Sequence, residues 1–148
     1  KIIEYEKEMI DLANQIDCNW ITVLAGASTN VIHNTCKSAH NFGKKVMLNL
    51  IDSSSPGQSA LEAESLGVDA LLCNKIIDQS NQELLIDRWD MIKGNTQLPI
   101  FLAPPITTTN IDEIIAIKPY GIILGQTITQ ANNPEEMAIY YYNILQAQ

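Results

Sequence analysis

Five short apolar segments rich in β-branched residues recur along this chain, and they constrain its fold more than any other feature. In each gap between them, the apolar residues have helical spacing. The distance from one segment to the next is about 22 to 31 residues, which is typical of the βαβ unit. We therefore expect buried parallel strands that alternate with helices. The segments are Trp20 to Ala25, Val46 to Ile51, Val68 to Cys73, Pro99 to Ala103 and Tyr120 to Leu124.

Capping residues mark the ends of several of the predicted helices, of which there are about six. Ser55 can cap a helix that has Pro56 at its first position, and Gly67 can end that helix in a left-handed conformation. The same arrangement at 133–134 starts the last helix. A further helix, from about Glu4 to Ile16, precedes the first strand.

Two α/β architectures have this alternation of elements. One is a (β/α)8 TIM barrel, of which this chain contains about five strands and six helices. The alternative is a five-stranded, flavodoxin-like, doubly wound sheet. No linker, charge block or change in composition divides the chain, so we expect residues 1–148 to form a single domain. The pattern alone leaves both architectures open.

Charge and composition exclude several classes of function. The chain has 9 Lys and Arg residues against 17 Asp and Glu, a net charge of -8. A nucleic-acid surface needs clustered cations, so this balance argues against one. No apolar run approaches the roughly 20 residues that span a bilayer. Cys18, Cys36 and Cys73 are irregularly spaced and indicate free thiols in a reducing compartment, so we expect a cytoplasmic protein.

Five segments of the chain carry a resemblance to a known family: Lys1 to Glu4, Trp20 to Leu24, Gly43 to Ile51, Leu61 to Asp69 and Asn132 to Glu135. Together they resemble the family of 3-hexulose-6-phosphate synthase and 3-keto-L-gulonate-6-phosphate decarboxylase, which belongs to the larger group of orotidine-phosphate decarboxylase barrels. The resemblance implies a (β/α)8 barrel in which Lys1 ends the third strand. It also implies that the chain is the C-terminal part of the barrel, with three strands before Lys1, and that the protein is a homodimer.

The catalytic positions of that family are only partly kept. Its D-x-K-x-x-D motif places Lys1 at the lysine and Glu4 at the second aspartate, which serves the neighbouring subunit. Asn49 stands at an acidic position of the fifth strand, and Asn74 stands where the family has a proton-shuttling histidine. An asparagine can bind a hydroxyl but has no proton to exchange near neutral pH, so it cannot replace that histidine as an acid or base.

The phosphate site implied by the resemblance is also altered. The family has a glycine pair after the seventh strand and a glycine-led pair after the eighth, because backbone N–H groups hold the phosphate. Here the first pair is Pro104-Pro105, and proline has no N–H to donate. The second pair is Gly125-Gln126, so half of the phosphate cradle is predicted to remain.

The resemblance implies a sugar-phosphate lyase, either an aldolase or a decarboxylase, that acts on a pentulose or hexulose phosphate through a metal-stabilised enediolate. Mg²⁺ is the cofactor that the family implies. Lys1, with Glu4 beside it, would stabilise the enediolate. Asn49 and Asn74 would orient hydroxyls of the sugar. Gly125 and Gln126 would bind the phosphate. The alternative is a catalytically degenerate barrel with a ligand-binding or structural role. Neither hypothesis includes a nucleic-acid or membrane partner.

Overall fold

The computed structural model describes residues 2–74 and 85–146, and it describes side chains within 8–74 and 89–146. Five strands alternate with helices along these residues. The strands are β1 (Trp20–Leu24), β2 (Lys45–Asn49), β3 (Ala70–Cys73), β4 (Ile100–Leu102) and β5 (Gly121–Ile122). The helices are α1 (Ile2–Gln15), α2 (Thr29–Asn41), α3 (Pro56–Leu66), α4 (Leu85–Lys93), α5 (Ile111–Ala116), α6 (Gln126–Thr129) and α7 (Pro134–Gln146).

All strand pairs are parallel, and the strands follow one another in the sheet in chain order, β1-β2-β3-β4-β5. A doubly wound sheet reverses its strand order at one point. No reversal occurs among the described strands, so the flavodoxin-like alternative is excluded. Right-handed crossovers between strands in this order place every connecting helix on the same face of the sheet, which is the arrangement in a (β/α)8 barrel.

The face of the sheet that meets the helices carries the main core. Alternate strand residues point toward it, as strand geometry requires. They pack with apolar residues of the helices in one contiguous cluster. Fully buried members of this cluster include Val46, Leu48, Leu71, Ile92, Leu102 and Tyr141.

The opposite face of the sheet is curved and packs against itself. Its buried cluster contains only strand and strand-end residues, among them Met47, Ala70 and Leu72. The rings of Trp20 and Phe101 lie 5.8 Å apart between centroids. They belong to β1 and β4, which would be about 14 Å apart in a flat sheet with normal strand spacing. The sheet therefore curls as the wall of a barrel does, and side chains meet across its concave face.

The helix ends agree in part with the capping signals. Pro56 occupies the first turn of α3, and Gly67 ends it with φ 85°, as predicted. Ser55 precedes the helix, but its side chain makes no capping hydrogen bond. Asn133 does cap α7, because its Oδ1 accepts the Glu136 N–H at 3.3 Å. The described residues form seven helices, of which the single-turn α6 is the one that the sequence pattern does not reveal.

No helix in the described ranges is both long enough and apolar enough to cross a bilayer.

Candidate functional site

The carboxyl edge of the sheet, where the loops that follow the strands meet, is the candidate site. Parallel strands end at the same edge, and barrel enzymes build their active sites there. Asn49 ends β2 and lies opposite Leu24 of β1 and Leu72 of β3. Asn74 immediately follows β3 and lies two residues beyond Leu72, so strand alternation places both on the concave side. The sequence-predicted asparagines therefore lie on neighbouring strands at one edge.

The Asn49 side chain forms a hydrogen bond within its own loop. The residue is only 9% exposed, and its Oδ1 accepts the Ile51 N–H at 3.0 Å. This is the local turn that asparagine commonly stabilises. One lone pair of the Asn49 Oδ1 is therefore used within the loop, and the side-chain NH₂ makes no hydrogen bond of this kind to the described part of the chain.

Asn74 differs, because its Oδ1 is buried and has no hydrogen-bond partner among the described residues. A buried amide oxygen without a partner typically costs about 1 to 3 kcal/mol. Such groups are rare in folded proteins, and a bound ligand is one of the ways in which they are satisfied. Asn74 is therefore the described group that most clearly lacks a partner at this edge.

Gly125 and Gln126 begin α6 on the other side of the edge. Gly125 precedes the helix with φ -111° and ψ -104°. A β-carbon at Gly125 would meet nothing within 4 Å, so the space above it is open. The first N–H groups of a helix have no acceptor within the helix. Thr127 anchors the turn by donating its hydroxyl to the Ile106 carbonyl at 2.7 Å.

The loop after β4 offers carbonyl groups in place of N–H donors. The Pro105 carbonyl accepts the Asn110 side-chain amide at 3.0 Å. Asn110 Oδ1 in turn accepts the Thr107 N–H at 2.8 Å. Asn110 thus braces the Pro104-Pro105 loop and makes no side-chain cap to α5. A phosphate can find N–H donors beside α6 but not from the two prolines.

The remaining predicted site residues lie at the margin of the described structure. Lys1 lies outside the described residues. Glu4 lies in α1, but its side chain is outside the described side chains. The proximity of these two residues to Asn74 therefore stays a prediction.

A contact that the sequence does not indicate braces the carboxyl edge. The Gly26 N–H, in the loop after β1, points at the Asp52 carboxylate, with both oxygens 3.2 Å away. The two residues are 26 positions apart, and neither has a neighbouring motif that would indicate the contact. Asp52 therefore joins the first two loops of the edge.

A β-carbon at Gly26 would be forced onto this carboxylate, with Asp52 Cγ only 3.1 Å away. We expect Gly26→Ala to lower the free energy of unfolding by about 1 kcal/mol, because the bond between amide and carboxylate must lengthen. Urea denaturation measures the change. Gly125→Ala is the matched control and should be neutral, since nothing surrounds its β-carbon. Equal effects of the two substitutions would contradict the steric explanation.

The described carboxyl edge does not supply a Mg²⁺ site. Mg²⁺ prefers several oxygen ligands in octahedral geometry, but Asp52 is held by Gly26 and Asn49 Oδ1 by Ile51. Among the side chains described, within 8–74 and 89–146, no three His, Cys, Asp or Glu groups are placed to hold a metal ion. The Mg²⁺ prediction gains no support from these residues.

The thiol and imidazole groups of α2 face other parts of the structure. Burial raises the pKa of the Cys36 thiol to about 11, and the negative charge of Asp69 adds to the effect. This thiol is therefore protonated and unreactive near neutral pH. His40 Nε2 lies 2.9 Å from Asp69 Oδ2, and that oxygen also accepts the Val46 N–H at 2.7 Å. Val46 lies near the start of β2, so this network is far from the candidate site.

No protein-family model and no curated protein sequence matches the chain. Solved structures do match it. 3-Hexulose-6-phosphate synthase from Salmonella typhimurium aligns with 93% of this chain and 66% of its own, at 22% identity and a TM-score of 0.79. KGPDC from Streptococcus mutans aligns with 96% of this chain and 66% of its own, at 12% identity and a TM-score of 0.76.

The likeness also extends to a protein that is named for a different activity. Thiamine phosphate pyrophosphorylase from Pyrococcus furiosus aligns with 93% of this chain and 64% of its own, at 17% identity and a TM-score of 0.74. The chain spans about two thirds of the length of these structures. Identities this low establish the fold and leave the activity open. Over the part that it spans, the chain has the (β/α)8-barrel fold of the 3-hexulose-6-phosphate synthase and KGPDC structures, which confirms the fold that the sequence resemblance implied.

Proposed function

We propose that the chain is the C-terminal part of a (β/α)8 barrel that binds a pentulose or hexulose phosphate at its carboxyl edge and acts on it as a lyase. The observation that carries the proposal is the buried, unpartnered Oδ1 of Asn74 at this edge. The fold shared with sugar-phosphate enzymes supports the choice of ligand class.

Asn74 acts in this proposal by orienting a sugar hydroxyl. Its Oδ1 accepts a hydrogen bond from the hydroxyl, which gives the buried oxygen its missing partner. Asn49 has a smaller role than the sequence predicted, because its own oxygen already serves the Ile51 N–H. Its amide NH₂ can donate to a second hydroxyl. The two asparagines thus select and align a polyol without exchanging protons.

The phosphate lies beside α6. The open space at Gly125 lets a phosphate oxygen approach the backbone, and the N–H groups that start α6 can donate to it. The Gln126 side chain is exposed there and can add a donor. The contact between Thr127 and Ile106 holds the turn in place for the ligand.

Lys1 and Glu4 supply the charged groups of the lyase hypothesis. When the C–C bond of the substrate breaks, an aldehyde or CO₂ departs and the electron pair stays on the sugar phosphate as an enediolate. The Lys1 ammonium neutralises this enediolate, and Glu4 is its carboxylate partner. By the resemblance, Glu4 serves the site of a second subunit, which makes a homodimer part of the proposal. Mg²⁺ also remains part of the hypothesis by resemblance alone.

A binding protein without turnover is the second candidate. It is favoured by the amide of Asn74 at the place of the family's proton shuttle and by the prolines at 104–105. Titration of the purified protein with ribulose 5-phosphate, with and without Mg²⁺, separates the candidates when it is combined with assays of hexulose 6-phosphate cleavage and of CO₂ release from keto-gulonate 6-phosphate. Binding with turnover supports the lyase. Binding without turnover supports the second candidate, and no binding contradicts both.

Asn74→Leu should separate ligand binding from stability. We expect ribulose 5-phosphate to bind about tenfold more weakly, because one hydrogen bond to the buried amide is lost. The free energy of unfolding should stay constant or rise, because an unpartnered buried polar group is replaced by an apolar group of similar size. Isothermal titration calorimetry and urea denaturation measure the two effects. Asn41→Leu, at the exposed end of α2, is the control and should leave binding unchanged.

A further inference from the structure

A cavity of about 390 Å³ opens at the amino end of the sheet, away from the candidate site. It lies between the end of α4 and the starts of β4 and β5. Its polar and aromatic lining consists of Trp89, Lys93, Thr96, Gln97, Lys118 and Tyr120. The volume is within the range of small-molecule sites, which begins at about 300 Å³.

The cavity is positively charged although the chain is acidic. Lys93 and Lys118 both line it, and none of the described residues that line it is Asp or Glu. The whole chain has 17 acidic residues and only 9 Lys and Arg. Two unopposed ammonium groups at one concave surface favour an anionic ligand.

Lys118 occupies a backbone position that usually belongs to glycine. It follows the end of α5 with φ 54°, and its N–H donates to the Ile115 carbonyl at 2.8 Å. A β-carbon is unfavourable in this left-handed conformation, so helices most often end there with glycine. A lysine at this position is less stable than glycine would be, but it places a cation at the cavity. Strain of this kind is characteristic of binding sites.

Two aromatic rings accompany the lysines. Trp89 is 6% exposed, and Lys93 Nζ lies 5.8 Å from its ring centroid, which positions the ammonium. Tyr120 is 72% exposed. Its ring nevertheless has a defined position, because it meets the Phe101 ring at 5.2 Å and 65°. Tyr120 therefore presents a fixed and uncovered aromatic surface.

We propose that this cavity binds a small anion that carries a flat ring, with the chemistry of a nucleoside monophosphate. The ring stacks on Tyr120, and the phosphate lies between Lys93 and Lys118. Barrel enzymes build their active sites at the opposite, carboxyl end of the strands. The proposed site is therefore separate from the sugar-phosphate site at the carboxyl edge and would be a second ligand site.

Isothermal titration calorimetry of the full chain with AMP, adenosine and inorganic phosphate tests the proposal. We expect AMP to bind about tenfold more tightly than phosphate, because stacking of one base adds that much. Adenosine should bind more weakly than AMP, because it lacks the charge. Equal affinities for AMP and phosphate would overturn the nucleotide assignment, and no heat with any of the three would overturn the site.

Lys118→Gly is the decisive variant, because it removes the cation and also removes the β-carbon that makes the left-handed backbone conformation unfavourable. It should weaken AMP binding about tenfold, the loss expected for one charge-assisted contact, while the melting temperature stays constant or rises. Tyr120→Ser should weaken AMP and adenosine but leave phosphate binding unchanged. Lys37→Gln, an exposed lysine in α2, is the charge-matched control. An effect of Lys37→Gln as large as that of Lys118→Gly would overturn the site, as would unchanged AMP binding in Lys118→Gly.

Discussion

Replacing Tyr141 by alanine will lower the free energy of unfolding by about 3 to 5 kcal/mol, the loss typical of a fully buried aromatic residue. Tyr141 is 1% exposed and belongs to the main core beneath the sheet. It is the largest fully buried side chain described, and it anchors α7. Small domains have a total stability of about 5 to 15 kcal/mol, so this variant will be close to unfolding. Urea denaturation measures the change.

Tyr141→Phe should not lower the free energy of unfolding, in contrast to Tyr141→Ala. The Tyr141 hydroxyl is buried and has no partner among the described residues. Its removal should leave stability unchanged or raise it by about 1 kcal/mol. Burial, and then Tyr140, raise the pKa of Tyr141 above its usual value of 10.0.

The raised pKa of Tyr141 gives this prediction a dependence on pH. The folded state holds the proton more tightly than the unfolded state, so the wild type should lose stability as the pH rises above about 10. Tyr141→Phe should lose less over the same range. A destabilised Phe variant would mean that the hydroxyl has a partner in the native protein.

Gly121→Val should lower the free energy of unfolding by about 3 kcal/mol through overpacking. Gly121 lies directly opposite Phe101 in the register of β4 and β5. A β-carbon at Gly121 would lie 2.8 Å from the Phe101 ring. The ring cannot easily move, because it meets the Trp20 and Tyr120 rings on other sides. At an uncrowded strand position, valine is more stable than glycine. A lower free energy of unfolding for Gly121→Val would therefore point to the steric clash with the Phe101 ring.

A double-mutant cycle with Phe101→Leu checks this explanation. The smaller side chain leaves room for the valine, so the double variant should be more stable than the sum of the single losses predicts. We expect a coupling energy of about 1 to 3 kcal/mol. Additive losses would show that the two side chains do not compete for the same space. Thermal and urea unfolding of all four proteins supply the values.

The strand pattern predicted most of the fold because it depends on local information. Each strand required a short apolar run, but the pattern left the strand order open, because the same alternation suits both a barrel and a doubly wound sheet. The apolar run from 120 to 124 predicted a longer strand than the observed β5, which is only Gly121–Ile122. The contact between Trp20 and Phe101 was beyond prediction, because it depends on how far the sheet curls.

The site was predicted less completely than the fold. Placement of Asn49 and Asn74 at strand ends followed from the strand pattern, but their hydrogen bonds did not. Asn49 faces its own turn and Asn74 does not, a difference that depends on the loop conformations. The contact between Gly26 and Asp52 joins two loops and left no periodic signal in the sequence.

The sheet order leaves two strands, β1 and β5, with a described neighbour on one side only. The outer edge of β1 is the more consequential, because its residues Trp20–Leu24 carry no charge. Natural proteins protect such edges with lysine, proline or a covering element, since an open row of backbone groups templates association with other chains. In the proposed barrel, a further strand would pair with this edge and satisfy its backbone groups, because a closed barrel has no free edge. The outer edge of β1 is therefore where the remaining strands of the proposed barrel would join this sheet.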